Sequence, residues 1–181
     1  VYRGKNRPIL RMREEVAVFG GFAGGETDRE ARNWTENRTI LDGENSRRCV
    51  EGANTSVLDG FIVTRGRRSG GGGMSIQRQS PTVSNCVFLE NSSYDSGGAV
   101  YVFEGSPVFT NCLFRENTAE ETAGGLYSTR GGAQVVNCVF IGNSALRGGA
   151  VHDTTGTLRV ANSILWGNSA PEDPEIAADT S

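Results

Sequence analysis

An all-β fold, a parallel solenoid, is expected from three observations. The first is a fourfold internal repeat over 71–168: GGGMSIQRQSPTVSNCVFLEN (71–91), GGAVYVFEGSPVFTNCLFREN (97–117), AGGLYSTRGGAQVVNCVFIGN (123–143) and GGAVHDTTGTLRVANSILWGN (148–168). The second is phase. Gly72, Gly98, Gly124 and Gly149 step by 26, 26 and 25 residues, and so do Asn85, Asn111, Asn137 and Asn162, and Asn91, Asn117, Asn143 and Asn168. The missing residue falls between Asn143 and Gly149, where a loop absorbs it. The third is composition: the copies are rich in Val, Phe, Thr, Asn and Gly and lack a 3.6-residue apolar period, which suits short strands and tight turns. A unit this short cannot bury its own apolar face, so neighbouring copies must stack. Each copy then forms one coil, and coils hydrogen-bond at the strand spacing of about 4.8 Å.

The copies, GGAVY…SPVFTNCLFRENTA among them, resemble the right-handed parallel β-helix repeats of bacterial secreted and cell-surface proteins. Upstream, VFGGFAGGETDREARNWTENRTILDGE and VLDGFIVTRG resemble the segment that leads into such repeats, and NSILWGNSA resembles their closing coil. The resemblance spans about 16–170 and implies a right-handed parallel β-helix that is extracellular or on the cell surface. It says little of function, because this scaffold carries lyases, hydrolases, epimerases, adhesins and passive stalks alike.

At about 25 residues per coil, 181 residues give about six or seven coils. They form one β-helix domain over 1–170, followed by an acidic, proline-containing tail over 171–181. The net charge of −3 argues against nucleic acid as a partner. No apolar run approaches the length of a membrane span, so no membrane insertion is expected. A start at Val1 without a leader suggests a processed or trimmed chain.

In chain order, 1–15 is basic with a short strand near 9–12, and 14–22 is a strand ending in FGGF. The glycine-rich loop that follows lacks the Lys-Ser/Thr of a phosphate-binding loop and is read as a solenoid corner. Residues 28–37 are the one expected helical turn, with Trp34 over the open N-terminal end of the column. Strands are expected at 39–43 and 57–64 and a flexible basic loop at 65–73, solvated or binding an acidic polymer.

Three ladders are expected to point inward: Met74, Val100, Leu126 and Val151; Val83, Phe109, Val135 and Val160; Phe88, Phe114, Phe140 and Leu165. Cys86, Cys112, Cys138 and Ser163 sit two residues before the third ladder and share its face. Three thiols in line without a nearby His fit metal binding poorly. Disulfides between coils fit the distance range, but three thiols cannot pair completely. Buried free thiols packing as small hydrophobes are the leading reading. Asn85, Asn111, Asn137 and Asn162 mark corners, where Asn tolerates a left-handed backbone and bonds the amide one coil away. Asn33, Asn37, Asn54 and Asn91 head N-x-Ser/Thr sequons.

His152, the only histidine, falls in register with Ser75, Tyr101 and Tyr127 and is expected to face outward. Tyr101, Tyr127, His152 and Asp153 form the candidate ligand patch, for polysaccharide. Against an enzyme, no acidic cluster is evident: Glu90 and Glu116 are in register, but Gly142 and Gly167 follow them. No catalytic residue, metal or other cofactor is expected. The inward ladders force Val87, Leu113, Val139 and Ile164 outward, with Leu89, Arg115, Ile141 and Trp166. Seven of these eight are apolar, near the upper limit of an exposed patch on a soluble monomer. Either a terminal segment folds over this stripe or another copy does. The expected function is thus a non-enzymatic structural scaffold that self-associates into filaments. A polysaccharide-binding or polysaccharide-cleaving β-helix is the runner-up.

Overall fold

The computed structural model describes residues 7–154 and 157–179 and is an all-β parallel solenoid. Each winding contributes one short strand to each of three sheets, and successive windings pair in parallel. Sheet A runs Leu10–Arg11, Val50–Glu51, Met74–Gln77, Val100–Phe103, Leu126–Thr129, Val151–Asp153, Ile176–Ala178. Sheet B runs Ala17–Phe19, Val57–Asp59, Thr82–Ser84, Val108–Thr110, Gln134–Val136, Arg159–Ala161. Sheet C runs Thr39–Asp42, Phe61–Thr64, Val87–Leu89, Leu113–Arg115, Val139–Ile141, Ile164–Trp166. The solenoid makes about five turns, slightly fewer than the six or seven expected. Dividing the length by one repeat overcounts, because the first winding runs from Leu10 to Val50 before it regains register. That winding carries an insertion over 20–38. Among the described residues there is no α-helix. The expected helical turn is a single 3-10 turn, Arg29–Ala31, capped by the Asp28 carboxylate accepting from the Glu30 N–H.

The inward ladders are where alternation places them. Phe88, Phe109, Phe114 and Phe140 are fully buried, as are Met74, Val83, Val100, Leu126, Val135 and Val151. Register stacks the rings: Phe88 on Phe114 at 5.0 Å and Phe114 on Phe140 at 4.3 Å, within 3° of parallel. Val160 and Leu165, the last members, are half-buried. All four cysteines are buried and free. The Cys112 N–H points at Cys138 Sγ, and the Cys138 N–H donates to Ser163 Oγ at 3.0 Å. The position takes a small side chain that accepts weakly, which is why Ser replaces Cys in the last copy.

Corners are made by left-handed residues. Asn85, Asn111, Asn137 and Asn162 have φ near +50°, and Asn111 and Asn137 each donate a long 3.4 Å amide bond to the Asn one winding earlier. The same geometry explains why Gly142 and Gly167 follow Glu90 and Glu116: all four have positive φ. That register position is chosen by its backbone, which glycine adopts without strain.

The second asparagine row does more. Asn91, Asn117, Asn143 and Asn168 are buried, which puts the Asn91 sequon out of reach of solvent. Asn117 Oδ1 accepts from both the backbone N–H and the side-chain amide of Asn91 at 3.0 Å, while Asn117 Nδ2 donates to the Phe88 carbonyl and to Asn143 Oδ1 at 2.9 Å. Asn143 repeats this with Asn168, and Asn168 Nδ2 donates to Glu175 Oε2 at 2.7 Å. Every rung is satisfied by its neighbours, so burial of the amides carries no unpaired polar atom.

Three local expectations are corrected. The segment after 170 was expected to be a tail, yet Ile176–Ala178 adds a seventh strand to sheet A with Ala177 fully buried. Glu175, ending the amide row, and Arg147, which pairs with Asp179 at 2.6 Å, hold it there. The 65–73 loop is tied down rather than flexible: Arg65 pairs with Asp42, Arg67 lies over the Tyr94 ring, and Arg67 bridges to Ser92. Trp34 lies at the B–C corner and not over the end of the column. A Cβ on Gly21 or Gly60 would press on Trp34, and these two glycines make the room it occupies.

Replacing Asn117 by Ala strands the buried N–H and amide of Asn91 and removes the donor to Asn143. We expect a loss of at least about 2 kcal/mol, read as a lower denaturation midpoint at unchanged slope. Asn111→Gly, which keeps the left-handed corner and loses only two long, exposed bonds, should cost under about 1 kcal/mol.

Candidate functional site

Two outward faces carry the residues singled out from sequence. On sheet A, the register row is Glu51, Ser75, Tyr101, Tyr127, His152 and Ala177. Tyr101 and Tyr127 are half-buried and stack at 5.2 Å. His152, expected to be exposed, is only 3% exposed and meets Tyr127 edge-on at 5.7 Å. The added strand Ile176–Ala178 runs alongside it, and Asp179 Oδ1 stands 3.5 Å from its Nε2. Asp153 does not join the patch. It is in register with Ser128, Val102 and Ile76 on the inward side of the sheet, and its Oδ2 accepts from the Leu158 N–H at 3.3 Å. The structure therefore brings Tyr101, Tyr127 and His152 together, covers the last of them, and turns Asp153 away. Next to this row, Arg48, Glu51, Ser75, Gln77 and Gln79 line a shallow polar pocket of about 250 Å³.

The outer face of sheet C is aliphatic. Its first row is Ile40, Ile62, Val87, Leu113, Val139 and Ile164, one residue from every strand. The second row continues Thr64, Leu89, Arg115, Ile141 and Trp166. Val87, Leu89, Leu113, Val139 and Ile141 are partly exposed, and Ile164 and Trp166 are 62% and 69% exposed. Both terminal strands, Leu10–Arg11 and Ile176–Ala178, belong to sheet A, so neither lies over this stripe; residues 1–6 fall outside the described residues. Ile40 and Ile62 extend the row beyond the four recognisable repeats, where sequence alone gave no register.

Sequence reading also missed the wall beside the stripe. Trp34, Thr35 and Arg38 of the insertion overhang sheet C and, with Ile62, Val87, Leu89, Leu113, Arg115 and Val139, enclose an open groove of about 710 Å³. One residue anchors this insertion. Arg32 pairs with Asp59 at 2.5 Å with both side chains 9% exposed, donates to the Gly20 carbonyl at 3.1 Å, and lies 5.0–5.1 Å from the rings of Trp34 and Phe19. Asp59 also accepts from Ser84 and Asn85. Breaking a buried pair leaves an uncompensated charge, so the geometry of the wall hangs on Arg32.

Cys49 and Cys86 are poor nucleophiles. Burial pushes the Cys49 and Cys86 thiols up to about 12, and the thiolate is the reactive form. No group of His, Cys, Asp or Glu that could hold a metal occurs among the described residues.

At pH 8 the folded chain should leave its thiols unlabelled by an aromatic disulfide reagent, and denaturant should expose all four. Because the folded Cys49 and Cys86 thiols stay neutral where unfolded thiols ionise, the stability these two contribute should fall as pH rises from 9 toward 12. Arg32→Ala should free the insertion locally: the Asn33 and Asn37 amides, now bonded to the Gly21 and Asn33 carbonyls, should exchange at least tenfold faster, with the Phe114 strand unchanged.

No curated protein and no solved structure matches the chain at a significant level. A family profile described as right handed beta helix region matches residues 11–140, well over half of the chain. That span runs from the first strand of sheet A to the stacked ring of Phe140. The windings, the stacked ladders and this match agree: the chain belongs to the right-handed β-helix family.

Proposed function

We infer that this chain is a non-enzymatic structural scaffold, extracellular or on the cell surface, that self-associates into filaments. One observation carries the reading: the first outward row of sheet C is aliphatic on all six strands and ends in the well-exposed Ile164 beside Trp166. Nothing in the coil requires Val, Leu or Ile at those positions, since the ladders that hold the column point the other way. A contiguous apolar surface of this size marks an interaction site. Strand edges add a second contact. Among the described residues, the end strands of sheets B and C, Ala17–Phe19 and Thr39–Asp42 at one end and Arg159–Ala161 and Ile164–Trp166 at the other, each have a partner on one side only. Open edges template further pairing, and end-to-end pairing that does not close produces a filament.

The second reading, a polysaccharide-binding or polysaccharide-cleaving β-helix, is favoured by the half-buried Tyr101–Tyr127 stack beside the polar pocket of sheet A. Turnover of an acidic or neutral polysaccharide that disappears in Tyr127→Phe would replace the scaffold reading with this one.

The double variant Ile164→Asp, Val139→Asp puts two charges in the apolar row and should turn an associating wild-type chain into monomers by light scattering. A wild-type chain that stays monomeric at high concentration overturns the reading.

A further inference from the structure

We propose that the groove under Trp34 is the docking site for a second copy of this chain. The two copies pack sheet C against sheet C with antiparallel solenoid axes, and each inserts its Ile164 and Trp166 into the other's groove. The proposal rests on the self-association reading above and adds which surfaces meet and in what register.

The argument begins with self-complementarity. One face of the molecule carries both a recess and a projection. The recess lies over the windings of Val87 and Leu113, walled by Trp34. The projection is Ile164 and Trp166, the most exposed pair of the stripe, on the last winding of sheet C. A two-fold axis along the strand direction, placed between the windings of Leu113 and Val139, reverses the solenoid axis and keeps the strand direction. It sets Ile164 of one copy against Val87 of the other, on the Trp34 side, and Trp166 against Leu89, beside Arg115. The same operation sets Leu113 against Val139 and repeats every contact in the opposite sense, as an isologous interface requires. Strands of the two copies then run nearly aligned, the usual arrangement for packed sheets.

The chemistry of the groove favours this occupant. Its floor is aliphatic, which suits apolar side chains better than a hydroxyl-rich glycan. Arg115, the one charge of the second row that this register sets against the partner, comes to lie beside an indole, a pairing that guanidinium groups favour. Four windings offer about 19 Å by 10 Å of sheet on each side, a footprint of about 190 Å² per copy before the overhanging Trp34 wall is added, which is small for a specific interface. The dimer is therefore weak on its own, and the strand-edge contacts add to it.

The test uses the two tryptophans, Trp34 and Trp166, the only ones in the chain. In the full chain carrying Trp34→Phe, Trp166 is the sole indole. Its emission should shift to the blue as concentration rises, with the midpoint that sedimentation gives for dimer formation. In the chain carrying Trp166→Phe, Trp34 should report the same midpoint. Trp166→Ala should weaken the dimer at least tenfold, and adding Trp34→Ala should cost little more, because the two residues line one contact. If the chain associates while Trp166 keeps a solvent-exposed spectrum, the docking proposal falls and the scaffold reading survives through the strand edges. If the chain is monomeric at every concentration, both fall. If an oligosaccharide quenches Trp34 in the monomer and blocks association, the groove belongs to glycan and the docking proposal is overturned.

Discussion

Burying a primary amide is costly unless all its hydrogen-bonding capacity is met, and this chain buries four in a line. Asn91, Asn117, Asn143 and Asn168 satisfy one another only when successive windings are in phase, since the Asn117, Asn143 and Asn168 side-chain carbonyls each take two donors from the winding before. Much of the remaining geometry follows. A slip of one residue would strand donors along the whole row and turn the phenylalanines outward as well. The phase that suits the amides sets ring on ring, thiol on thiol and corner on corner. Close approach also constrains the turns nearby: a Cβ on Gly66 or Gly73 would come within about 3 Å of the Asn91 side chain.

What was legible in the sequence was whatever repeats. Phe88, Phe114 and Phe140, the thiol row and the corner asparagines announce themselves by residue type at fixed spacing, and their burial and backbone geometry are as that spacing implies. What was not legible depends on single long-range contacts with no second copy to compare. Arg32 meeting Asp59, and Glu175 meeting Asn168, each fix a whole segment through one pair of side chains, and no periodicity encodes either. His152 was assigned to the correct row, and its burial comes from a strand whose two flanking prolines and acidic residues resembled a linker. Asp153 is a different case. Val151 points inward, and alternation alone places Asp153 inward too; grouping it with His152 followed adjacency in sequence instead of the pleat.

The two outward faces show how such a scaffold divides labour. Interior positions are constrained twice, by the column and by the windings above and below, so their chemistry is nearly fixed. Outward positions answer only to solvent and partners. Sheet A spends them on a mixed polar and aromatic row, and sheet C spends them on aliphatic side chains under an overhanging loop. A loop of irregular sequence, hung from a regular stack by one ion pair, turns a flat sheet into a groove without disturbing a single rung.

The amide row also has a direction. Each Nδ2 gives one of its two hydrogens to the side chain next in line toward the C-terminal end, and the last is received by a carboxylate, Glu175. An extra copy of the unit placed between Asn91 and Asn168 would find a waiting acceptor on one side and a waiting donor on the other. The fold thus behaves as a molecular ruler graduated in steps of about 4.8 Å: genetic duplication can lengthen it by whole windings, while the closing acid and the grooved entry stay as they are.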